Sequence, residues 1–394
     1  MITRLQLGNF KSYKDLSLPL TRRNVLIGPN MAGKSNLIAA LRFLNLLVHS
    51  ASGVHGLTHA LNALAPGGPE ELAWRGGESK LISLILTGDF RELPQHSESD
   101  TWDYKLDFTV EPRGTPLVQN ESLEVSTHRG RGALIEGDVA TGQRILRNMS
   151  QQQVNRVTDA RRSALEFEIP GWDGNLLRNL FASFQFFKLV PATMKQINST
   201  VAATALMENG SNLSSWLMFL QTRFRSAFDA VEQAAKDALP DITNILTWPT
   251  QQATVFIASG ERALKTPIPV WQMSDGELCF IALLSMIFSP EDFASQLYCI
   301  EEPENHLHPK LLQTLVGLSE QRQRSFGTRA AQVIVTTHSL ELVDSCRVED
   351  LIVIEKREGA SRCTRPSEKR EVQELLAREE LGLGELYYSG VLSR

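Results

Sequence analysis

Cysteine is scarce in this chain, with four residues, Cys279, Cys299, Cys346 and Cys363, among 394. They lie far apart and form no CxxC pair, which argues against a zinc site and against a disulfide framework. Reduced thiols in an intracellular setting are the plain reading. Long apolar runs are also missing. Leu278 to Phe288 is too short to cross a bilayer and is interrupted by Ser285. The opening residues, MITRLQLGNFKSYKD, lack the apolar centre of a signal peptide. A cytoplasmic protein without membrane contact is therefore expected. Nor is there an excess of positive charge: 40 Lys and Arg face 45 Asp and Glu, a net charge of −5. The chain is no general polycation, so any contact with nucleic acid must come from a local basic patch. Hydrophobic residues at 42% and charged residues at 22% exclude a disordered or collagen-like chain. The length allows a core of normal size and two or three domains.

The hydrophobic pattern gives the order of elements. Residues 1–27 alternate apolar and polar and end in the apolar run Val25-Leu26-Ile27, which predicts short strands, the last one buried. A glycine-rich loop follows at 28–33, then a helix with Leu37, Ile38, Leu41, Leu44, Leu47 and Val48 on one face. Residues 50–79, rich in Gly, Ala, Pro and Ser, are expected to be irregular. KLISLIL, YKLDFTV and FASFQFFKLVPA look like strands, and 194–240 mostly helical. Residues 127–162 hold seven arginines (129, 131, 144, 147, 156, 161 and 162) with three acids and no lysine. This segment is a candidate surface for DNA or a protein partner, or else a solvated helical face. A hairpin, ATVFIAS to IPVWQMS, then leads into a helix from 275. The last third alternates strands at 296–302, 332–338 and 349–356 with helices near 309–325, 339–346 and 367–380. Alternating β and α predicts a parallel sheet covered on both faces. The simplest organisation is one α/β domain in two parts, 1–79 and 271–394, around an inserted α+β region at 80–270.

Four motifs carry chemistry. Gly28-Pro29-Asn30-Met31-Ala32-Gly33-Lys34-Ser35 fits G-x-x-x-x-G-K-[ST] between a buried strand and an amphipathic helix. Backbone N–H groups of such a loop cradle a phosphate, aided by the helix N-terminus. Lys34 is expected at the β- and γ-phosphates and Ser35 on Mg²⁺. The strand Leu297–Ile300 ends in Glu301 and Glu302, whose side chains point to opposite sides. Glu301 is assigned to the metal and Glu302 to general-base or water-positioning work. Ser274 and Glu277 have the spacing of a capping box at a helix start, a place that also attracts anions. His338 ends the strand QVIVTT and is either a satisfied core histidine or a group facing the γ-phosphate.

Together these pieces resemble the ABC-type ATPase heads of the RecF, SMC and OLD families, and within that group the stand-alone AAA-type ATPases of the OLD-like kind. The residues that carry the likeness are NFKSYKDLSL (9–18), NVLIGPNMAGKSNLIAALRFL (24–44), MSDGELCFIALL (273–284), IEEPENHLHPKLL (300–312), VIVTTHSLELV (333–343) and LGELYYSGVL (383–392). The resemblance implies a P-loop NTPase head that binds ATP and Mg²⁺ and dimerises head to head with two ATP molecules between the heads. It implies that Ser274, Asp275, Gly276 and Glu277 act in trans as the signature motif. Asn305 and His306 fall where the family's dimer-interface loop lies, and Gln185 where its metal-contacting glutamine lies. Phe10, Lys11, Ser12 and Asn36 fall where such heads meet the nucleotide. Two positions depart from the pattern. Glu301 stands where the family usually has Asp, and Asp275 where the signature has its first Gly, so slow hydrolysis is expected. The nuclease domain that follows the ATPase in OLD nucleases is not expected, because 38 residues follow Lys356. No NKxD motif is present, which favours ATP over GTP.

The function expected from this resemblance is an ATP-driven switch that controls DNA engagement or a separate effector protein, in the setting of antiphage defence. A RecF-like repair or recombination ATPase is the alternative. A transporter subunit is disfavoured, because the signature begins about 240 residues after Gly33. A vestigial site is disfavoured too, because Lys34, Ser35, Glu302 and His338 are all intact.

Overall fold

The computed structural model describes residues 1–49, 54–90, 100–111, 114–127, 130–138, 141–327, 330–369, 372–373 and 382–392. Arg129 and most of the helix expected at 367–380 lie outside the described residues. Three sheets organise the rest.

The first sheet is antiparallel. It contains β1 (Ile2–Phe10), β2 (Tyr13–Pro19), β4 (Leu81–Asp89), β5 (Thr101–Val110), β6 (Pro116–Thr127), β7 (Gly130–Asp138), β8 (Gln143–Arg147) and β9 (Gln153–Val157), in the order β2-β1-β4-β5-β6-β7-β8-β9. β1 pairs directly with β4, so the sheet runs unbroken across residue 80. The second sheet is the parallel one expected from the last third of the chain. Its order is β10 (Gln185–Phe187), β15 (Leu297–Glu301), β16 (Gln332–Thr337), β3 (Arg23–Ile27), β17 (Leu351–Arg357) and β18 (Ala360–Thr364), with only β18 antiparallel. The third sheet joins β11 (Asn198–Ser199), β13 (Thr254–Glu261) and β12 (Ile242–Pro249), with β14 (Ile268–Pro269) beside β13.

The central strands of the parallel sheet carry continuous apolar stretches, such as Val25–Ile27, Leu297–Ile300 and Leu351–Ile354, because both faces are covered. Their twofold alternation divides one sheet between two cores. Leu26, Cys299, Ile334, Ile352 and Ile354 face the antiparallel sheet and helix α1 (Lys34–Val48). Val25, Ile27, Tyr298, Ile300, Leu351 and Val353 face a helical layer. That layer includes α5 (Leu213–Arg223), α6 (Arg225–Ala238), α7 (Asp275–Ile287) and α8 (Pro309–Phe326). Helix α1 is wedged between the two sheets, which explains its wide apolar stripe. Phe43 stacks on Phe108 of the antiparallel sheet at 5.2 Å between centroids.

Several local expectations need correction. The segment 50–79 is not irregular throughout, for Gly56–Leu64 forms helix α2 and buries Leu57, Ala60 and Leu61. In FASFQFFKLVPA only Gln185–Phe187 is a strand. Its start closes α3 (Asn175–Ala182), and Pro191 opens the short α4 (Pro191–Met194) instead of merely ending a strand. The arginine-rich segment is no helical face. Most of its described residues form β7, β8 and β9 with the short segment joining β8 and β9.

Candidate active site

Because β15, β16 and β3 run parallel and in register, their C-terminal ends come level. Glu301 pairs with Thr336, and Thr337 with Ile27. The three loops that leave these ends carry Glu302, His338 and Gly28. This crevice is the usual ligand site of open α/β sheets.

The phosphate loop, 28–33, is shaped by what surrounds it. Gly28 and Gly33 have φ of 154° and 117°. A Cβ on Gly28 would lie 2.1 Å from the Ile354 carbonyl oxygen, and one on Gly33 2.3 Å from Ser361 Oγ. Only glycine fits at either place. Met31 sits at the tip, 86% exposed. Lys34 is buried, and its Nζ donates to the carbonyls of Gly28 at 2.7 Å and Pro29 at 3.1 Å. Burial pulls its pKa below the usual lysine value, against the opposing pull of Glu302 and Glu304. The β17–β18 hairpin buttresses the loop from outside. Ser361 Oγ donates to the Ala32 carbonyl and lies 2.7 Å from Ser12 Oγ, and Asn36 Nδ2 donates to Ser12 Oγ at 2.8 Å. The buried Tyr13 hydroxyl donates to the Gly33 carbonyl at 3.0 Å.

The acidic residues complete the crevice. Ser35 Oγ donates to Glu301 Oε2 at 2.8 Å, which joins the first turn of α1 to the end of β15. Glu302 has a left-handed backbone (φ 48°), and its N–H donates to the Thr336 carbonyl at 2.9 Å. This sparsely populated conformation is held by its neighbours. Glu302 Oε1 lies 3.8 Å from His338 Nε2, and its Oε2 accepts from Asn305 Nδ2 at 3.0 Å. Lys34, Ser35, Glu301, Glu302 and His338 are therefore gathered at the carboxyl ends of β15, β16 and β3.

Sequence reasoning missed Glu304. Its Oε1 accepts from Thr337 Oγ1 at 2.8 Å and from the backbone N–H of His338 at 2.6 Å. Its Oε2 is buried without a hydrogen-bond partner. Glu304 thus ties the loop after β15 to the end of β16. As the third acid of EEPE it carried no separate signal. Ser361 was missed as well, because a serine on a distant hairpin belongs to no motif.

The remaining candidates are more scattered. Ser274 is the N-cap of α7, and its Oγ accepts from the Glu277 N–H at 3.1 Å. A Cβ on Gly276 would meet the His306 carbonyl oxygen at 2.6 Å, so the start of α7 rests on the loop holding Asn305 and His306. Asp275 pairs with Lys195 Nζ at 2.6 Å. Lys11 Nζ donates to the Leu64 carbonyl at the end of α2 at 2.8 Å. With Ser12, Asn36 and Trp74 it lines an open cleft of about 470 Å³. Gln185 is not brought to the crevice. It pairs with Tyr298, three residues before Glu301, about 10 Å back along the strand. Of the six described arginines in 127–162, five pair with acids. Arg144, fully buried, lies 3.6 Å from Glu121, while Arg131, Arg147, Arg161 and Arg162 pair with Glu124, Glu136, Asp159 and Glu166.

The same architecture is found in solved Smc heads. One is described as an Smc head bound to the C-winged helix domain of ScpA. It is 15% identical, with a TM-score of 0.54 over 92% of this chain and 97% of that one. Another, from Pyrococcus furiosus, is an Smc head domain with an extended coiled coil bound to the C-terminal domain of ScpA. It is 12% identical, with a TM-score of 0.55 over 95% and 99%. This is the ABC-type ATPase head fold. Within the head, residues 1–103 match the family described as "AAA ATPase domain". Residues 191–344 match "AAA domain, putative AbiEii toxin, Type IV TA system". The first match contains the phosphate loop, and the second contains the signature, the acidic strand end and His338. No curated protein matches the chain. No helix among the described residues is long and apolar enough to cross a membrane.

Proposed function

We propose that this head is a Mg²⁺-dependent ATPase switch, two copies of which close head to head around two ATP molecules. The observation that carries the reading is the convergence at one sheet edge of Lys34, the Ser35–Glu301 contact and the Glu302–His338 pair. The loop N–H groups and Lys34 bind the phosphates. Glu302 orients a water and accepts its proton, and His338 faces the terminal phosphate. The donors fit Mg²⁺. A hydroxyl and one carboxylate in contact are hard oxygen ligands, and no cluster of three or more His, Cys, Asp or Glu suited to a resident ion occurs among the described residues. Mg²⁺ binds in this way, through one or two protein groups plus substrate phosphates. It would neutralise the charge on the β- and γ-phosphates there. Glu301 in place of Asp and the acid at position 275 are the reasons to expect slow turnover.

The readout is assigned to a separate effector protein, with antiphage defence as the setting. The toxin–antitoxin wording of the family matched by residues 191–344 supports that setting. Smc heads seen with a bound ScpA domain support a partner protein. Direct DNA contact through the arginine-rich segment, and with it the RecF-like alternative, is less favoured, because five of those arginines are already paired with acids. The test is the solution mass of Glu302→Gln with and without ATP and Mg²⁺. A dimer that forms only with ATP supports the switch, and a mass indifferent to ATP refutes it.

A further inference from the structure

The first turn of α7 poses an electrostatic difficulty that the proposed function must resolve. The helix start offers N–H groups and a positive dipole end to an anion. Asp275, at the first helical position, places a negative charge beside them. Its side chain is 50% exposed, so it faces the same space an incoming phosphate would enter. The other acid of that turn, Glu277, is turned inward toward Ser259, and burial raises its pKa. The carboxylate exposed at the helix start is thus that of Asp275.

Lys195 answers it. Its Nζ lies 2.6 Å from Asp275 Oδ1. This contact, more than any other, holds the Asp275 pKa below the usual carboxylate range, with His306 adding to it. The lysine is anchored at its base. It follows α4 directly, its N–H donates to the Pro191 carbonyl, and Met194 beside it is fully buried. An exposed pair of this kind contributes little to folding, so stability is a poor reason for it.

We propose that Lys195 is a positioning residue of the signature: by neutralising Asp275 it lets the N-terminus of α7 accept the terminal phosphate of ATP held by a second copy of the chain. The inference rests on the head-to-head reading above. It accounts for an acidic signature in a site that binds a polyanion, and it predicts that the lysine is needed only while the acid is present.

The experiment uses the full chain with Glu302→Gln as parent. ATP affinity of the dilute monomer and the ATP-driven dimerisation midpoint are measured by fluorescent-nucleotide titration and sedimentation. Adding Lys195→Ala should leave monomer affinity within about twofold, which also verifies folding, and raise the midpoint at least tenfold. Adding Asp275→Gly to that variant should return the midpoint to within about threefold of the parent. An unchanged midpoint in the Lys195→Ala variant overturns the inference while leaving the sandwich standing. Failure of Asp275→Gly to restore dimerisation overturns it too, because the lysine would then act by some means other than neutralising Asp275. A parent that never dimerises with ATP removes the sandwich and the inference with it.

Discussion

Replacing Glu304 separates positioning from charge at the active site. The carboxylate receives two hydrogen bonds through one oxygen, from Thr337 Oγ1 and from the His338 N–H. Thr337 is fully buried. Glu304→Ala leaves the buried Thr337 hydroxyl without its acceptor, a loss of about 1–3 kcal/mol, while the exposed His338 N–H can turn to water. Glu304→Gln keeps an acceptor for both donors and places its amide where Oε2 now lies unpartnered. It should cost under about 1 kcal/mol. Both variants remove the same negative charge from near Lys34, so any difference between them isolates the hydrogen bonds. Thermal unfolding and steady-state ATP turnover are the assays. The alanine variant should melt several degrees lower and lose about a hundredfold in kcat, because His338 is no longer held opposite Glu302. The glutamine variant should stay within about threefold of the parent. If alanine and glutamine behave alike in both assays, Glu304 does not position His338.

Lys34→Ala should weaken nucleotide binding at least a hundredfold by calorimetry, and unchanged affinity would sink the phosphate-loop assignment. Glu302→Gln keeps an acceptor for Asn305 and should bind ATP normally while losing about a hundredfold or more in phosphate release; normal turnover removes its role as base. Gly28→Ala should be the more damaging of two loop substitutions in thermal melts. Its Cβ meets the Ile354 backbone carbonyl, whereas that of Gly33→Ala meets the Ser361 and Ser12 hydroxyls, side-chain ends whose displacement costs their hydrogen bonds but no backbone shift. Equal melting temperatures would refute the buttress.

The phosphate loop, the acidic strand end and the strand-end histidine were legible because each is a contiguous string with a fixed relation to a strand. The parallel sheet was legible from apolar runs such as Leu351–Ile354. Helix α2 was not, since nine residues set among Gly, Ala and Pro give a weak periodic signal. The arginine segment misled because a count of arginines ignores acids paired across strands, such as Glu124 and Glu136. Gln185 misled because its likeness rested on one residue type, while register sets it at the wrong end of its strand. Lys195 and Ser361 could not be read at all, for each acts on a residue 80 or more positions away.

The placing of β3 has a consequence for the order of folding. Within its sheet this strand, finished by residue 27, is paired with β16 and β17, which are made some 300 residues later. The antiparallel sheet needs nothing beyond residue 157 to pair its strands. During synthesis that sheet can form early, while both edges of β3 wait. Such distant pairings are slow to form. The crevice at the ends of β3, β15 and β16 is therefore among the last parts of the molecule to close, and a partly made chain carries the phosphate-binding sequence without the pocket that gives it affinity.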